Sequence, residues 1–119
     1  MSKSKGFSIT SASRYSLALY ELANEGDCLV QVEDQSSSIL NLIKSNQDFA
    51  NLIKDPTSNR EDLLKTISNI SDNNRFEDLF KNFLSFLVKK RRFFYVEQIL
   101  KSFIEICSQK RGELKAELK

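Results

Sequence analysis

Apolar residues recur at helical spacing along almost the whole chain, and their pattern predicts six helices. The first runs from about Ser11 to Glu25, with Ala12, Tyr15, Leu19, Leu22 and Ala23 on one face. The second, about Cys28 to Lys44, has Asp27 as its expected N-cap and Val32, Ile39, Leu42 and Ile43 inward. A short third helix, Gln47 to Lys54, carries Phe49, Leu52 and Ile53, and stops where Asp55 precedes Pro56. Ser58 and Glu61 have the spacing of a capping box and open the fourth, about Asn59 to Asn69, with Leu63, Leu64, Ile67 and Ile70 inward. Asn74 and Glu77 repeat a cap-like spacing before the fifth, starting at about Arg75, with Phe76, Leu79, Phe80, Phe83, Leu84, Phe86 and Leu87. The sixth, about Phe93 to Lys110, carries Val96, Ile99, Leu100, Phe103, Ile104 and Cys107.

Three of the four glycine and proline residues fall where this periodicity stops: Gly26, Pro56 and Gly112. The break between the fifth and sixth helices is placed at Lys89-Lys90-Arg91-Arg92, since one unbroken helix would be about three times the usual length. Gln35-Ser36-Ser37-Ser38 reads as the outer face of the second helix. Beyond Gly112, polar and apolar residues alternate from Glu113 to Lys119, which suits a strand. The chain therefore divides into an all-α domain over 1–110, a six-helix bundle, and the truncated start of a strand-containing domain over 111–119. Leu19, Ile39, Leu64, Phe80, Phe83, Leu100 and Phe103 are the expected core.

Two helices are apolar over a wider arc than a single core contact requires. At about 100° per residue, the fifth has an apolar arc of roughly 200° from Phe86 round to Val88, and the first a similar arc from Ala18 round to Tyr20. Such width means either a helix enclosed on several sides or a second interface. For the first helix, at the chain's start, it points to a groove for a partner helix.

Composition narrows the chemistry. The 119 residues suit one domain, and 40 % hydrophobic with 29 % charged residues is ordinary for a globular chain. There is no histidine, which removes the commonest general base and the commonest metal ligand together. No glycine-rich phosphate loop, EF-hand or HExxH spacing occurs. The adjacent acids Glu33-Asp34, Glu61-Asp62 and Glu77-Asp78 diverge by about 100° on a helix and make no catalytic dyad. No catalytic, cofactor-binding or metal residues are assigned. Cys28 and Cys107 lack CxxC spacing and read as small buried hydrophobes, reduced rather than paired. The stretch after Lys3 and Lys5 lacks the apolar core of a signal peptide, and no apolar run is long enough to span a membrane. Lys89 to Arg92, followed by Phe93, Phe94 and Tyr95, could grip phosphates and stack on bases, which makes an RNA-binding helical bundle the alternative function. A net charge of only +2 favours the other reading, cations at a helix carboxyl end followed by a core aromatic.

Three blocks together resemble the delta subunit of bacterial F-type ATP synthases, the counterpart of the mitochondrial oligomycin-sensitivity-conferring protein. They are Ser13-Arg14-Tyr15-Ser16-Leu17-Ala18-Leu19-Tyr20-Glu21-Leu22-Ala23, then Asn82-Phe83-Leu84-Ser85-Phe86-Leu87-Val88-Lys89-Lys90-Arg91-Arg92, and Lys110-Arg111-Gly112-Glu113-Leu114-Lys115-Ala116-Glu117-Leu118. Ser16 stands where the family usually has alanine, and Phe93 and Phe94 make the start of the sixth helix unusually aromatic. The resemblance implies a non-catalytic stator subunit of the peripheral stalk, at the cytoplasmic face of the bacterial inner membrane. It implies that the first and fifth helices form a groove for the amino-terminal helix of an alpha subunit. A separate carboxyl-terminal domain would meet the b-subunit stalk. On the residues here, the groove wall would come from Tyr15, Ala18, Leu19 and Leu22 and from Leu79, Phe83 and Phe86. No cofactor, nucleic acid or membrane insertion is implied.

Overall fold

A computed structural model describes the backbone of residues 2–55, 57 and 59–118, and the side chains of residues 12–55, 57 and 59–111. Every regular element among them is helical: α1 Ser2–Glu25, α2 Leu29–Ser45, α3 Gln47–Lys54, α4 Arg60–Asn74, α5 Asp78–Lys89, a 3-10 turn Phe93–Tyr95, and α6 Val96–Leu118. The expected all-α, six-helix fold is present.

α6 is the spine of the bundle. α1 and α2 both pack along it, α4 packs on α5, and α3 folds back on α2. The spine's inward stripe of Val96, Ile99, Leu100, Phe103 and Cys107 is sealed from solvent, and it meets Leu19 and Ala23 of α1 and Val32 and Ile39 of α2 in one core. Phe80, Phe83, Leu84 and Leu87 of α5 complete it. Of the seven expected core residues, six are buried and Leu64 is half-buried against the cluster. Ser16 of α1 is buried against the spine, its Oγ 2.6 Å from the Ala12 carbonyl and 2.8 Å from the Ile99 carbonyl. Its single proton serves one acceptor at a time, and the second contact fastens the first helix to the last.

Helix boundaries follow local chemistry, not always as the sequence suggests. Asn46 caps α3 by accepting from the Phe49 N–H, and Asn59 caps α4 by accepting from the Glu61 N–H. Between these helices Asp55 Oδ1 accepts from both the N–H and the hydroxyl of Thr57, which holds the Asp55 carboxyl below its usual range. Ser58 of the expected capping box lies outside the described residues. α1 begins at Ser2 rather than Ser11, since no proline in that stretch stops a helix. α4 runs on to Asn74 because Ile67, Ile70 and Ser71 continue its inward stripe. Asn74 therefore ends α4 instead of opening α5, which starts three residues later than expected, at Asp78. The free Glu77 N–H at that start is satisfied from α2, by Gln35 Oε1 at 3.0 Å.

Three helices end in the same device. Asp27, Arg75 and Arg91 have φ of 56°, 53° and 59°, and the N–H of the following residue reaches back to close a Schellman turn: Cys28 to Ala23, Phe76 to Ser71, Arg92 to Leu87. Asp27 thus terminates α1 rather than capping α2. None of the three is glycine, so each turn holds an L side chain where glycine costs least. Replacing exposed Arg75 by glycine should raise stability by about 0.5–1 kcal/mol, read as a higher urea midpoint at unchanged slope.

Two expectations are corrected. Ser36 is not on an outer face: it is fully buried, because it lies four residues after Val32 and three before Ile39 on the same stripe. The segment after Gly112 does not form a strand. α6 continues through residue 112 to Leu118, since Glu, Leu, Lys and Ala are strong helix formers and no strand among the described residues could pair with it. Arg111 holds this part of α6 to α2 through two parallel bonds to Glu33, of 2.7 and 2.9 Å.

Cys28 and Cys107 are free and buried in the core. Burial, reinforced by nearby Glu33 and opposed by Arg111, pushes the Cys107 thiol up to about 11. The folded chain holds that proton more tightly than the unfolded chain, so the thiol's contribution is complete below the unfolded value and falls as pH rises from about 9 towards 11. Wild-type stability should therefore drop in that window relative to Cys107→Ala, by at most about 1.4 kcal/mol per pH unit. Urea titrations of the two proteins at a series of pH values measure the difference.

Candidate functional site

α1 and α5, distant in sequence, touch along a seam. The seam is antiparallel: the rings of Tyr15 and Phe86 meet at one end, 6.2 Å apart and tilted 60°, while Gly26 meets Leu79 at the other. A Cβ on Gly26 would sit 3.3 Å from Leu79 Cδ2 and 3.3 Å from the Leu22 carbonyl. The absence of a side chain there lets the end of α1 settle close against α5.

The structure divides the seven expected groove residues into a floor and a rim. Leu19 and Phe83 are buried in the core and offer no surface to a partner; they hold the two helices together from below. Tyr15 and Leu79 are half-buried. Ala18 is exposed, and Leu22 and Phe86 keep 47 % and 42 % of their surface in solvent, Phe86 at the Tyr15 end of the seam and Leu22 towards the Leu79 end. The floor was not separable from the rim in sequence, because both lie within the same apolar arc. Leu17 is 46 % exposed but lies outside the α1 arc, about 160° round the helix from Tyr15, so it does not belong to the seam. Lys90 closes one end of the seam, with its ammonium 5.8 Å from the centre of the Phe86 ring.

Two concavities lie away from this seam. One, about 490 Å³, opens between Ile53 and Leu63 on one side and Arg91, Arg92 and Phe94 on the other. The second, about 690 Å³, lies between the α1 segment at Ala12 and the outer side of α6 at Lys101 and Ile104. The seam itself is a shallow strip, a shape suited to a helix laid along it rather than to an enclosed small molecule.

The basic run serves the fold first. Lys89 sits in the last turn of α5, Lys90 follows it, and Arg91 and Arg92 form its Schellman turn. Phe93 is buried and cannot stack on a base, while Phe94 and Tyr95 lie edge to face, 5.3 Å apart. Among the described residues there is no group of acids and cysteines placed to hold a metal ion, and no helix long and apolar enough to cross a membrane.

Similarity to known proteins covers the helices that build the seam. The family model for the ATP synthase delta (OSCP) subunit matches residues 12–119. ATP synthase subunit delta of Pelagibacter ubique is 64 % identical over 118 residues, which cover 99 % of this chain and 64 % of that protein. The subunits delta of a Chelativorans species and of Rhodospirillum rubrum are 34 % and 31 % identical over 107 residues, 90 % of this chain and 58 % of each of those proteins. The chain thus spans about three-fifths of the length of the curated relatives it matches. With α1 from Ala12 onward and the whole of α2 to α6 inside the segment that the family model matches, the chain belongs to the ATP synthase delta (OSCP) subunit family.

Proposed function

We propose that this chain is the head-binding part of an ATP synthase peripheral stalk, a non-catalytic stator element that grips the amino-terminal helix of an alpha subunit between α1 and α5. The observation that carries it is the exposure of Phe86 at one end and Leu22 towards the other end of a seam along which Leu19 and Phe83 are buried. An amphipathic helix laid on the rim would cover both with anchors spaced at i, i+3, i+4 and i+7. Family membership supports a partner within the ATP synthase complex, and the resemblance implies the alpha-subunit helix. In this reading the link to the b-subunit stalk belongs to the separate carboxyl-terminal domain that the resemblance implies, and the site of action is the cytoplasmic face of the bacterial inner membrane.

The test is an NMR titration of the ¹⁵N-labelled chain with a synthetic peptide of the alpha-subunit amino-terminal segment. Amide shifts concentrated at Tyr15, Ala18, Leu22, Leu79 and Phe86 are expected. Saturable shifts confined to Arg60 and residues 91–95 instead would place the partner in the other concavity and sink the seam as the binding site. Tight, strongly salt-dependent binding of mixed-sequence RNA, with no response to the peptide, would favour the RNA-binding alternative.

A further inference from the structure

The cavity of about 490 Å³ is assembled from segments far apart in sequence. The 3-10 turn Phe93–Tyr95 packs against both α3 and α5, and α4 contributes Arg60 and Leu63 from its first turn. The cavity's inner surface is apolar: Ile53, Val88 and Phe93 are buried and Leu63 is half-buried. Around it stand three arginines, Arg60, Arg91 and Arg92, against one carboxylate, Asp55. That carboxylate is already engaged, its Oδ1 accepting from the N–H and the hydroxyl of Thr57 at 2.9 and 2.6 Å. The three guanidinium groups take part in none of the ion pairs among the described residues, which join Lys81 to Asp72, Lys101 to Glu97 and Arg111 to Glu33.

Helix energetics explain only part of this cluster. Arg91 and Arg92 follow the carboxyl end of α5, where cations are favoured. Arg60 does the reverse. It is the first residue of α4, where the helix dipole favours acids such as the neighbouring Glu61 and Asp62. Neither the helix that carries it nor an internal ion pair accounts for Arg60 at this cavity. Phe94 is the second unexplained feature. It lines the same cavity yet keeps 50 % of its surface in solvent, its ring held edge to face with Tyr95 at 5.3 Å.

We propose that this cavity binds a nucleoside diphosphate, its phosphates held by Arg60, Arg91 and Arg92 and its base laid on Phe94. A guanidinium is always charged and presents a planar fork of donors that matches phosphate oxygens. Three of them against one engaged carboxylate call for a ligand with more than one negative charge. An inorganic anion would leave Phe94 and the apolar inner surface uncovered, whereas a base covers both. The volume lies within the range of small-molecule sites. One exposed ring stacks one base, since Phe93 is buried and Tyr95 is packed against Phe94. A net charge of only +2 offers a strand's backbone little to follow, so a single nucleotide fits better than RNA. The site shares no residue with the α1–α5 seam and does not rest on the partner proposed for it.

The experiment titrates the ¹⁵N-labelled chain with magnesium-free ADP, and in parallel with pyrophosphate and with mixed-sequence RNA. Saturable amide shifts at Arg60, Leu63 and residues 91–95 are expected with ADP, weakening as salt is added. Arg91→Gly removes one guanidinium at a φ of 59°, where glycine costs least, so the turn keeps its shape. Arg91→Gly and Arg60→Gln should each weaken ADP binding by about tenfold at low salt. Phe94→Ala should weaken ADP by about tenfold and leave pyrophosphate unchanged. Circular dichroism checks that each variant stays folded, and if one does not, the other two decide. No saturable ADP binding below about 1 mM, or shifts away from these residues, overturns the proposal. Pyrophosphate that binds as tightly as ADP overturns the assignment of a nucleoside. RNA that binds at these residues more tightly than ADP overturns the assignment of a single nucleotide.

Discussion

Phe86→Asp should keep its helical content and bind the alpha-subunit amino-terminal peptide at least about tenfold more weakly, a loss of about 1.4 kcal/mol. The expectation rests on where the side chain stands. Phe86 leaves 42 % of its surface in solvent, so an aspartate there can remain hydrated in the free chain. In the complex the same carboxylate would be pressed against apolar anchors and stripped of water, which is costly. The wild-type ring, by contrast, offers the partner a large aromatic contact of the kind that dominates binding energy. Circular dichroism and titration calorimetry separate the outcomes. A variant that unfolds would assign Phe86 to the core, and a folded variant with wild-type affinity would move the binding site elsewhere.

Phe103→Ala should have the opposite profile, a large loss of stability without any direct effect on the seam. Phe103 is completely buried on the spine helix, among residues from both helices packed along it. Removing a buried phenyl ring forfeits its transfer energy and leaves a cavity, together about 3–5 kcal/mol. Against a total stability of roughly 5–15 kcal/mol, that is a large fraction. The thermal midpoint should fall by on the order of 10–20 °C. A loss below about 1 kcal/mol would show that α6 is not the spine.

The inward stripes were legible because periodicity reports burial directly. Leu19, Phe80 and Phe103 are sealed where their spacing placed them. The α3 limits were legible too, since Asn46 and the Asp55-Pro56 pair leave little choice. The carboxyl ends of α1 and α5 fall at Glu25 and Lys89 as the pattern placed them, whereas the end of α4 was less legible, because Arg75 occupies a turn position that sequence rules reserve for glycine or asparagine. Gly112 misled in the other direction: its neighbours' helix preference outweighs one glycine's cost of about 1 kcal/mol. At the site, the arcs of α1 and α5 were readable as unusually wide. Which part of each arc becomes floor and which becomes rim depends on α6 and the neighbouring helices, and no local spacing encodes that. The buried position of Ser36 and the reach of Gln35 to the start of α5 belong to the same class, contacts made across the chain.

The pairing of the first helix with the last sets a timetable for synthesis. Ala12, Ser16, Leu19 and Ala23 leave the ribosome early, yet the stripe from Val96 to Phe103 that they share the core with is translated near the end of these 119 residues. At about 5–20 residues per second, the nascent chain carries that apolar strip without its mate for several seconds. α4 and α5, neighbours in sequence, can meet meanwhile, but the bundle cannot close around a spine that does not yet exist. During that interval the strip is open to chaperones and to other nascent chains. Burial of α1 therefore waits until the stripe of α6 has been made.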